Sequence, residues 1–117
     1  MVIDFSNPAL TYKRLHGGGL GVPIAKACGL KKSYRPIIID ATAGLGEDGF
    51  FLASLGCEVK MIERNFDVAE ALRMALERAL VDLDLKEIAS RILLTQGSAL
   101  DLIPRLGPVD EIGRAHV

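Results

Sequence analysis

The sequence predicts an α/β domain built on a parallel sheet, corresponding to half of a doubly wound fold. Three short apolar segments of strand character alternate with helical segments along the 117 residues. In such an alternation, right-handed crossovers keep the strands parallel and place the helices on the faces of the sheet. Half of the residues are hydrophobic and a quarter are charged, which is typical of a globular protein. The length allows one domain at most.

The first 35 residues form a basic, glycine-rich segment. We expect residues 1–21 to be irregular, because residues 17–19 are three consecutive glycines, which lose a large amount of backbone entropy when held in regular structure. A short helix is predicted from Pro23, which suits the first turn of a helix, to Cys28. Gly29 is expected to close that helix.

Residues 36–62 predict a strand, a helix and a second strand. Residues 36–40 are continuously apolar up to Asp40 and β-branched, as in a strand buried on both faces. A short helix is expected over residues 48–55. The second strand is expected over residues 57–62, with Glu63 directly after it.

The clearest helix is predicted over residues 67–83, with Asn65 or Asp67 as its N-cap. Its apolar side chains recur at steps of three and four and form one stripe: Val68, Leu72, Ala75, Leu76, Ala79, Leu80 and Leu83. A short helix over residues 85–90, a third strand over residues 92–95 and a last helix over residues 98–106 are expected to follow.

Polar residues follow each predicted strand. Asp40 ends the first strand, Glu63 and Arg64 follow the second, and Gly97 and Ser98 follow the third. Ligands of open α/β sheets bind outside the carboxyl ends of the strands. We therefore expect these residues to converge on one ligand site.

A glycine motif lies in the first of these loops. Residues 44–49 read Gly-Leu-Gly-Glu-Asp-Gly and match G-x-G-x-x-G between a strand and a helix. Gly44 and Gly46 allow the backbone to approach a ligand, and the helix start offers N–H groups. Glu63 can accept hydrogen bonds from both hydroxyls of a ribose. Together these features predict a nucleoside-containing cofactor, the alternative being a tight turn that needs glycine only for packing.

The acids around the motif favour S-adenosylmethionine over a nicotinamide dinucleotide. Glu47 and Asp48 stand at the helix start, where a pyrophosphate would be repelled. S-adenosylmethionine has no phosphate and carries a sulfonium and an amino group, which suit Asp40, Glu47 and Asp48. Asp48 as a helix N-cap and Glu47 as a solvated charge are the simpler interpretations, and both are compatible with ligand contact.

Charge is distributed unevenly along a chain whose net charge is −1. No Asp or Glu occurs between Phe5 and Ile39, a stretch that holds Lys13, Arg14, Lys26, Lys31, Lys32 and Arg35. Such a segment indicates either a polyanion contact or a solvated basic face. Cys28 and Cys57 are expected to be buried, reduced thiols, consistent with a cytoplasmic location. Neither a metal site, a signal peptide nor a membrane span is predicted.

Four stretches of the sequence match the pattern of a known family. They are residues 3–5, residues 13–19 with 25–29, D-A-T-A-G-L-G-E-D-G-F at residues 40–50 with residues 52–57, and E-R-N at residues 63–65. On these stretches the sequence resembles the ribosomal RNA small-subunit methyltransferase J family, whose members methylate the N2 amine of a guanine in bacterial 16S ribosomal RNA. The resemblance covers roughly residues 2–110.

The resemblance implies a Rossmann-like class I S-adenosylmethionine-dependent methyltransferase fold, of which this chain supplies only the N-terminal half of the parallel sheet. The family pattern maps cofactor contacts to Glu47, Asp48, Glu63, Arg64, Ser98 and Ala99. Glu47 departs from the family, where arginine is common. The implied partner is 16S ribosomal RNA or the small ribosomal subunit, with Lys13 and Arg14 as candidate RNA contacts.

The family continues after Asp110 into an apolar strand and an Asp-Pro loop that holds the target amine, so no catalytic residue is assigned in this chain. Residues 111–117 fit neither that pattern nor a buried strand. They can be back-translated to a common sequencing-adapter string, and we expect them to be a non-native read-through tail. The chain alone is then expected to be inactive, with the first strand left at an edge of the sheet.

Overall fold

The computed structural model describes residues 1–41, 43–102 and 111–113, the last three and Ala99 by their backbone only. Within these ranges the elements are, in order, α1 Pro8–His16, α2 Pro23–Ala27, β1 Ile38–Asp40, α3 Glu47–Ser54, β2 Val59–Glu63, α4 Phe66–Leu80, α5 Lys86–Ser90, β3 Ile92–Gln96, α6 Ala99–Leu102 and β4 Glu111–Gly113. A 3-10 turn, Gly19–Gly21, separates α1 from α2.

The four described strands form one parallel sheet in the order β3-β2-β1-β4. Ile38 of β1 lies opposite Val59 of β2, and Val59 lies opposite Ile92 of β3. The predicted α/β fold with a parallel sheet is therefore confirmed. Because all strands run the same way, the loops that follow β1, β2 and β3 leave from the same edge.

The expectation that β1 becomes an edge strand is wrong. Residues 111–113, expected to belong to a tail that replaces the missing strand poorly, pair with β1 in parallel as β4, with Ile38 opposite Glu111 and Asp40 opposite Gly113. Parallel pairing uses backbone N–H and C=O groups, so it does not need an apolar run of side chains. Residues 114–117, and residues 103–106 of the predicted last helix, lie outside the described residues.

The N-terminal segment is also more ordered than the glycine run predicted. Asn7 caps α1 by accepting the Leu10 N–H at 2.9 Å, and Pro8 occupies the first helical turn. Asparagine followed by proline is a helix-start signal, and the glycines begin only where α1 ends, at Gly17. Lys13 therefore lies on a helix rather than in a loop.

Residues before α1 belong to the hydrophobic core. Ile3 and Phe5 are 4% and 2% exposed, and the Phe5 ring stacks on Phe50 of α3 with 4.4 Å between centroids. The Arg78 guanidinium of α4 donates to the Ile3 carbonyl. The N-terminal residues are thus fastened to both α3 and α4.

Helix α4 ends three residues before its predicted end. Its buried residues are Ala69, Ala71, Leu72, Ala75, Leu76 and Ala79. Leu80 and Leu83 are 48% and 86% exposed, because the chain turns after Leu80 and buries Leu85 and Ile88 instead. Asn65, not Asp67, is the cap, since its side chain accepts the Val68 N–H at 3.0 Å.

Cys28 and Cys57 are buried thiols that are not joined in a disulfide. Burial raises the pKa of Cys57 from 9.0 to about 11, against a smaller opposing effect of the nearby Arg35 charge. The folded chain therefore keeps this thiol proton where the unfolded chain loses it, and stability should fall as pH rises through that interval.

We expect the free energy of unfolding to drop by up to roughly 2–3 kcal/mol between about pH 9 and pH 11. Urea titrations across this range measure the drop. Cys57→Ala should flatten the dependence, whereas Cys28→Ala, which keeps Cys57, should retain it. If the free energy of unfolding of Cys57→Ala falls with pH as steeply as that of the unmodified protein, groups other than Cys57 cause the pH dependence.

In the part of the chain that the structure describes, no helix is long and apolar enough to cross a membrane. Over the same residues, no three His, Cys, Asp or Glu side chains are grouped so as to hold a metal ion.

Candidate cofactor-binding site

The loops that follow β1, β2 and β3 are joined to one another at the carboxyl edge of the sheet. The Ala43 N–H donates to the Ile62 carbonyl at 3.1 Å, linking the first loop to β2. The Gly97 N–H donates to the Glu63 carbonyl at 2.9 Å, linking the third loop to the end of β2. The edge is therefore one connected surface.

Glu63 is the central residue of this surface. Its Oε1 accepts the Gly44 N–H at 3.1 Å and its Oε2 accepts the Asn65 N–H at 2.9 Å. The carboxylate thus bridges the glycine loop and the start of α4. Each carboxylate oxygen can accept two hydrogen bonds, so each retains an acceptor position for a further donor such as a ribose hydroxyl. The bridging role, and the involvement of Asn65, were not predicted.

The first two glycines of the motif have left-handed backbone angles. Gly44 has φ +56° and Gly46 has φ +73°. A Cβ on Gly46 would lie 2.7 Å from Leu72 Cδ2 and 3.1 Å from Phe5 Cζ. Packing therefore demands glycine at Gly46, while Gly44 presents its N–H to Glu63.

The third glycine lets α3 lie close to the sheet. A Cβ on Gly49 would lie 2.7 Å from Met61 Cε and 3.2 Å from Asp40 Oδ2. This close helix–strand contact is the role that the last glycine of the motif has in doubly wound folds. Packing thus explains part of the glycine pattern.

Asp40 is buried at the end of β1. The residue is 3% exposed, and one carboxylate oxygen lies beside the Gly49 backbone on the α3 side of β1. The structure does not bring this carboxylate to the exposed surface around Glu63. A direct contact of Asp40 with a bound cofactor stays a prediction.

Glu47 and Asp48 form the first turn of α3 and are both partly exposed. Two acids in this turn are favourably placed in the field of the helix. The N-cap of α3 is Gly46, with no capping side chain, so the simpler interpretation of Asp48 as N-cap is wrong. The Asp48 carboxylate instead lies 3.8 Å from Lys13 Nζ.

Arg64, Ser98 and Ala99 complete the predicted set. The exposed Arg64 contributes its carbonyl, which accepts the Gln96 side-chain amide at 3.0 Å. Ser98 is partly exposed, and its carbonyl accepts the Leu102 N–H at 3.0 Å at the start of α6. Ala99 is the first residue of α6. Phe66, which follows E-R-N directly, is 65% exposed at the start of α4.

The candidate RNA contacts lie on α1 against α3. Lys13 Nζ is 4.8 Å from the centroid of the Phe51 ring, and the Lys13 side chain remains 43% exposed. Arg14 on the same helix is partly exposed. An ion pair as exposed as that between Lys13 and Asp48 contributes little, so Lys13 remains available to another anion.

Comparison with known families gives a match over most of the chain. The family described as "Putative SAM-dependent methyltransferase" matches residues 1–112, which include the glycine motif, Glu63 and the first two residues of β4. The chain is also similar to a solved SAM-dependent methyltransferase from Neisseria gonorrhoeae, with 38% identity and a TM-score of 0.79. That match covers 96% of this chain and 46% of the solved one.

Curated relatives are named ribosomal RNA small subunit methyltransferase J. The protein from Ectopseudomonas mendocina is 50% identical over 101 residues, which cover 86% of this chain and 39% of the relative. The protein from Dechloromonas aromatica is 46% identical, over 86% of this chain and 41% of the relative. The chain therefore spans about two fifths of the length of these relatives.

Proposed function

The chain belongs to the SAM-dependent methyltransferase family, and from that membership we propose that it carries the cofactor-binding part of an enzyme that methylates the N2 amine of a guanine in 16S ribosomal RNA. S-adenosylmethionine supplies an activated methyl group when bound. The residues at the carboxyl edge of the sheet bind and orient it, and such positioning is a large part of catalysis when a neutral amine attacks a sulfonium.

The observation that carries this proposal is the Glu63 bridge. Glu63 stands beside the glycine loop with acceptor positions left for two hydroxyls, while Glu47 and Asp48 add negative charge at the start of α3. This set of groups fits a cofactor that has a ribose and a net positive charge. Arg64 and Ser98, on the neighbouring loops, and Ala99, the first residue of α6, are the further contacts we propose.

The same acids disfavour a nicotinamide dinucleotide, whose pyrophosphate would face Glu47 and Asp48 at the helix start. The matched family, the curated relatives and the similar solved structure are methyltransferases, so they give that alternative no support.

Calorimetric titration of a full-length protein that contains this chain tests the cofactor assignment. S-adenosylmethionine and S-adenosylhomocysteine should bind and compete with each other, and NAD should give no heat of binding. Saturable NAD binding that S-adenosylmethionine does not displace would overturn the assignment.

We further propose that Lys13 and Arg14 contact phosphates of the RNA substrate and that the protein acts in the cytoplasm, where ribosomal RNA is modified. In the full-length protein, Lys13→Ala/Arg14→Ala should weaken RNA binding while leaving S-adenosylmethionine affinity intact. The dependence of log affinity on log salt should become shallower by roughly 0.7–0.9 for each phosphate interaction that the substitutions remove.

Filter binding at several salt concentrations measures this slope. Lys86→Ala, on the exposed side of α5, removes a charge elsewhere and serves as the control. If the double variant and the control give equal slopes, Lys13 and Arg14 belong to a solvated face.

A further inference from the structure

The basic segment is divided between two places in the fold. Lys13 and Arg14 lie on α1, whereas residues 31–34, which we name the basic turn, end three residues before the start of β1. The loops that follow β1, β2 and β3 lie at the carboxyl edge of the sheet. Because β1 starts at the opposite edge, the basic turn lies at that opposite edge. The five residues of β2 span roughly 16 Å, which is the distance between these two edges of the sheet.

The basic turn is held in one conformation by its own backbone and by Arg35. The Lys31 N–H donates to the Tyr34 carbonyl and the Tyr34 N–H to the Lys31 carbonyl, both at 3.1 Å. The Arg35 guanidinium donates to the carbonyls of Lys31, Tyr34 and Leu55, which fastens the turn to the end of α3. Arg35 is therefore engaged within the fold, and a ligand would meet a preorganised turn.

The side chains of the turn face solvent. Lys31 and Lys32 are exposed, and Tyr34 is 47% exposed. Lys26, in the last turn of α2, is also exposed. Glu58 is an exposed acid at this edge, where its carbonyl accepts the Ile38 N–H at 2.9 Å. The turn itself is cationic, since residues 31–34 hold two lysines and no acid.

We propose that the basic turn is a second RNA-binding surface, distinct from the α1 contacts, which takes a single-stranded segment of the RNA substrate. Lys31 and Lys32 bind phosphates, and a base stacks on Tyr34. Lysines beside an accessible aromatic ring are the combination that single strands need, since their bases are unstacked. This inference rests on the proposed function, and it assigns the turn to binding rather than to catalysis.

Two variants of the full-length protein test the surface. Lys31→Ala/Lys32→Ala should make the salt dependence of RNA binding shallower by roughly 1.4 in log–log slope, for two phosphates of a single strand. Tyr34→Leu should weaken RNA binding about fivefold or more, whereas Tyr34→Phe, which keeps the stacking ring, should bind as the unmodified protein does.

The controls separate this inference from the proposed function. Lys86→Ala should leave RNA binding unchanged, and every variant should retain its affinity for S-adenosylmethionine. If the unmodified protein binds RNA but the lysine pair and Tyr34→Leu alter nothing, the basic turn is a solvated face or a protein contact and the inference fails. If the unmodified protein does not bind 16S RNA at all, the proposed function fails with it.

Discussion

Gly46→Ala is expected to lower the free energy of unfolding by about 2–5 kcal/mol. Gly46 has φ +73°, where an L residue costs roughly 1–2 kcal/mol. The added methyl would also lie 2.7 Å from Leu72 and 3.1 Å from Phe5, and overpacking of this kind costs roughly 1–3 kcal/mol. Urea unfolding measures the total loss of stability, which combines the backbone cost and the packing cost.

Gly29→Ala is the matched control. Gly29 has φ +82°, yet no atom lies within 4 Å of a Cβ placed there. This variant should show the backbone cost of about 1–2 kcal/mol without the packing cost. Equal losses in the two variants would mean that Phe5 and Leu72 do not constrain the glycine loop.

Glu63→Ala is expected to reduce S-adenosylmethionine affinity by about tenfold or more. One hydrogen bond to a charged group contributes roughly 1.5–3 kcal/mol, and the substitution removes the acceptor we propose for the ribose hydroxyls. It also removes the bridge between the Gly44 and Asn65 N–H groups, which positions the glycine loop. Glu63→Gln keeps one acceptor oxygen and should lose less affinity than Glu63→Ala.

Glu58→Ala is the control for Glu63, since it removes an exposed acid at the opposite end of β2. Calorimetry on variants with intact circular dichroism should show normal cofactor affinity for Glu58→Ala. If a folded Glu63→Ala protein binds S-adenosylmethionine with unchanged affinity, Glu63 only connects the two loops and does not bind the cofactor.

The regular elements could be predicted because their signals are local. The β-branched run before Asp40 and the apolar stripe of α4 identify a buried strand and an amphipathic helix without tertiary information. The N-cap and proline of α1 are equally local signals, but they conflict with the nearby run of glycines, which predicts irregular structure. Strand β4 could not be predicted, since its pairing depends on the position of β1 rather than on its own side chains.

The candidate site could be predicted only in part. The sheet topology brings the three loops together, as the order of elements required. The fit of Gly46 against Phe5 was not predictable, because it joins residues 41 positions apart through a fold that pattern alone does not define. The same holds for the burial of Asp40 under Gly49 and for the two N–H groups that bind Glu63.

Nucleoside analysis tests most directly whether this chain forms the cofactor-binding part of a 16S ribosomal RNA guanine-N2 methyltransferase. The 16S RNA is incubated with labelled S-adenosylmethionine and a full-length protein that contains this chain, and is then digested to nucleosides. We expect label in N2-methylguanosine, and less of it with Glu63→Ala. Label in a different nucleoside, or none from a folded protein that binds the cofactor, would contradict the proposed function.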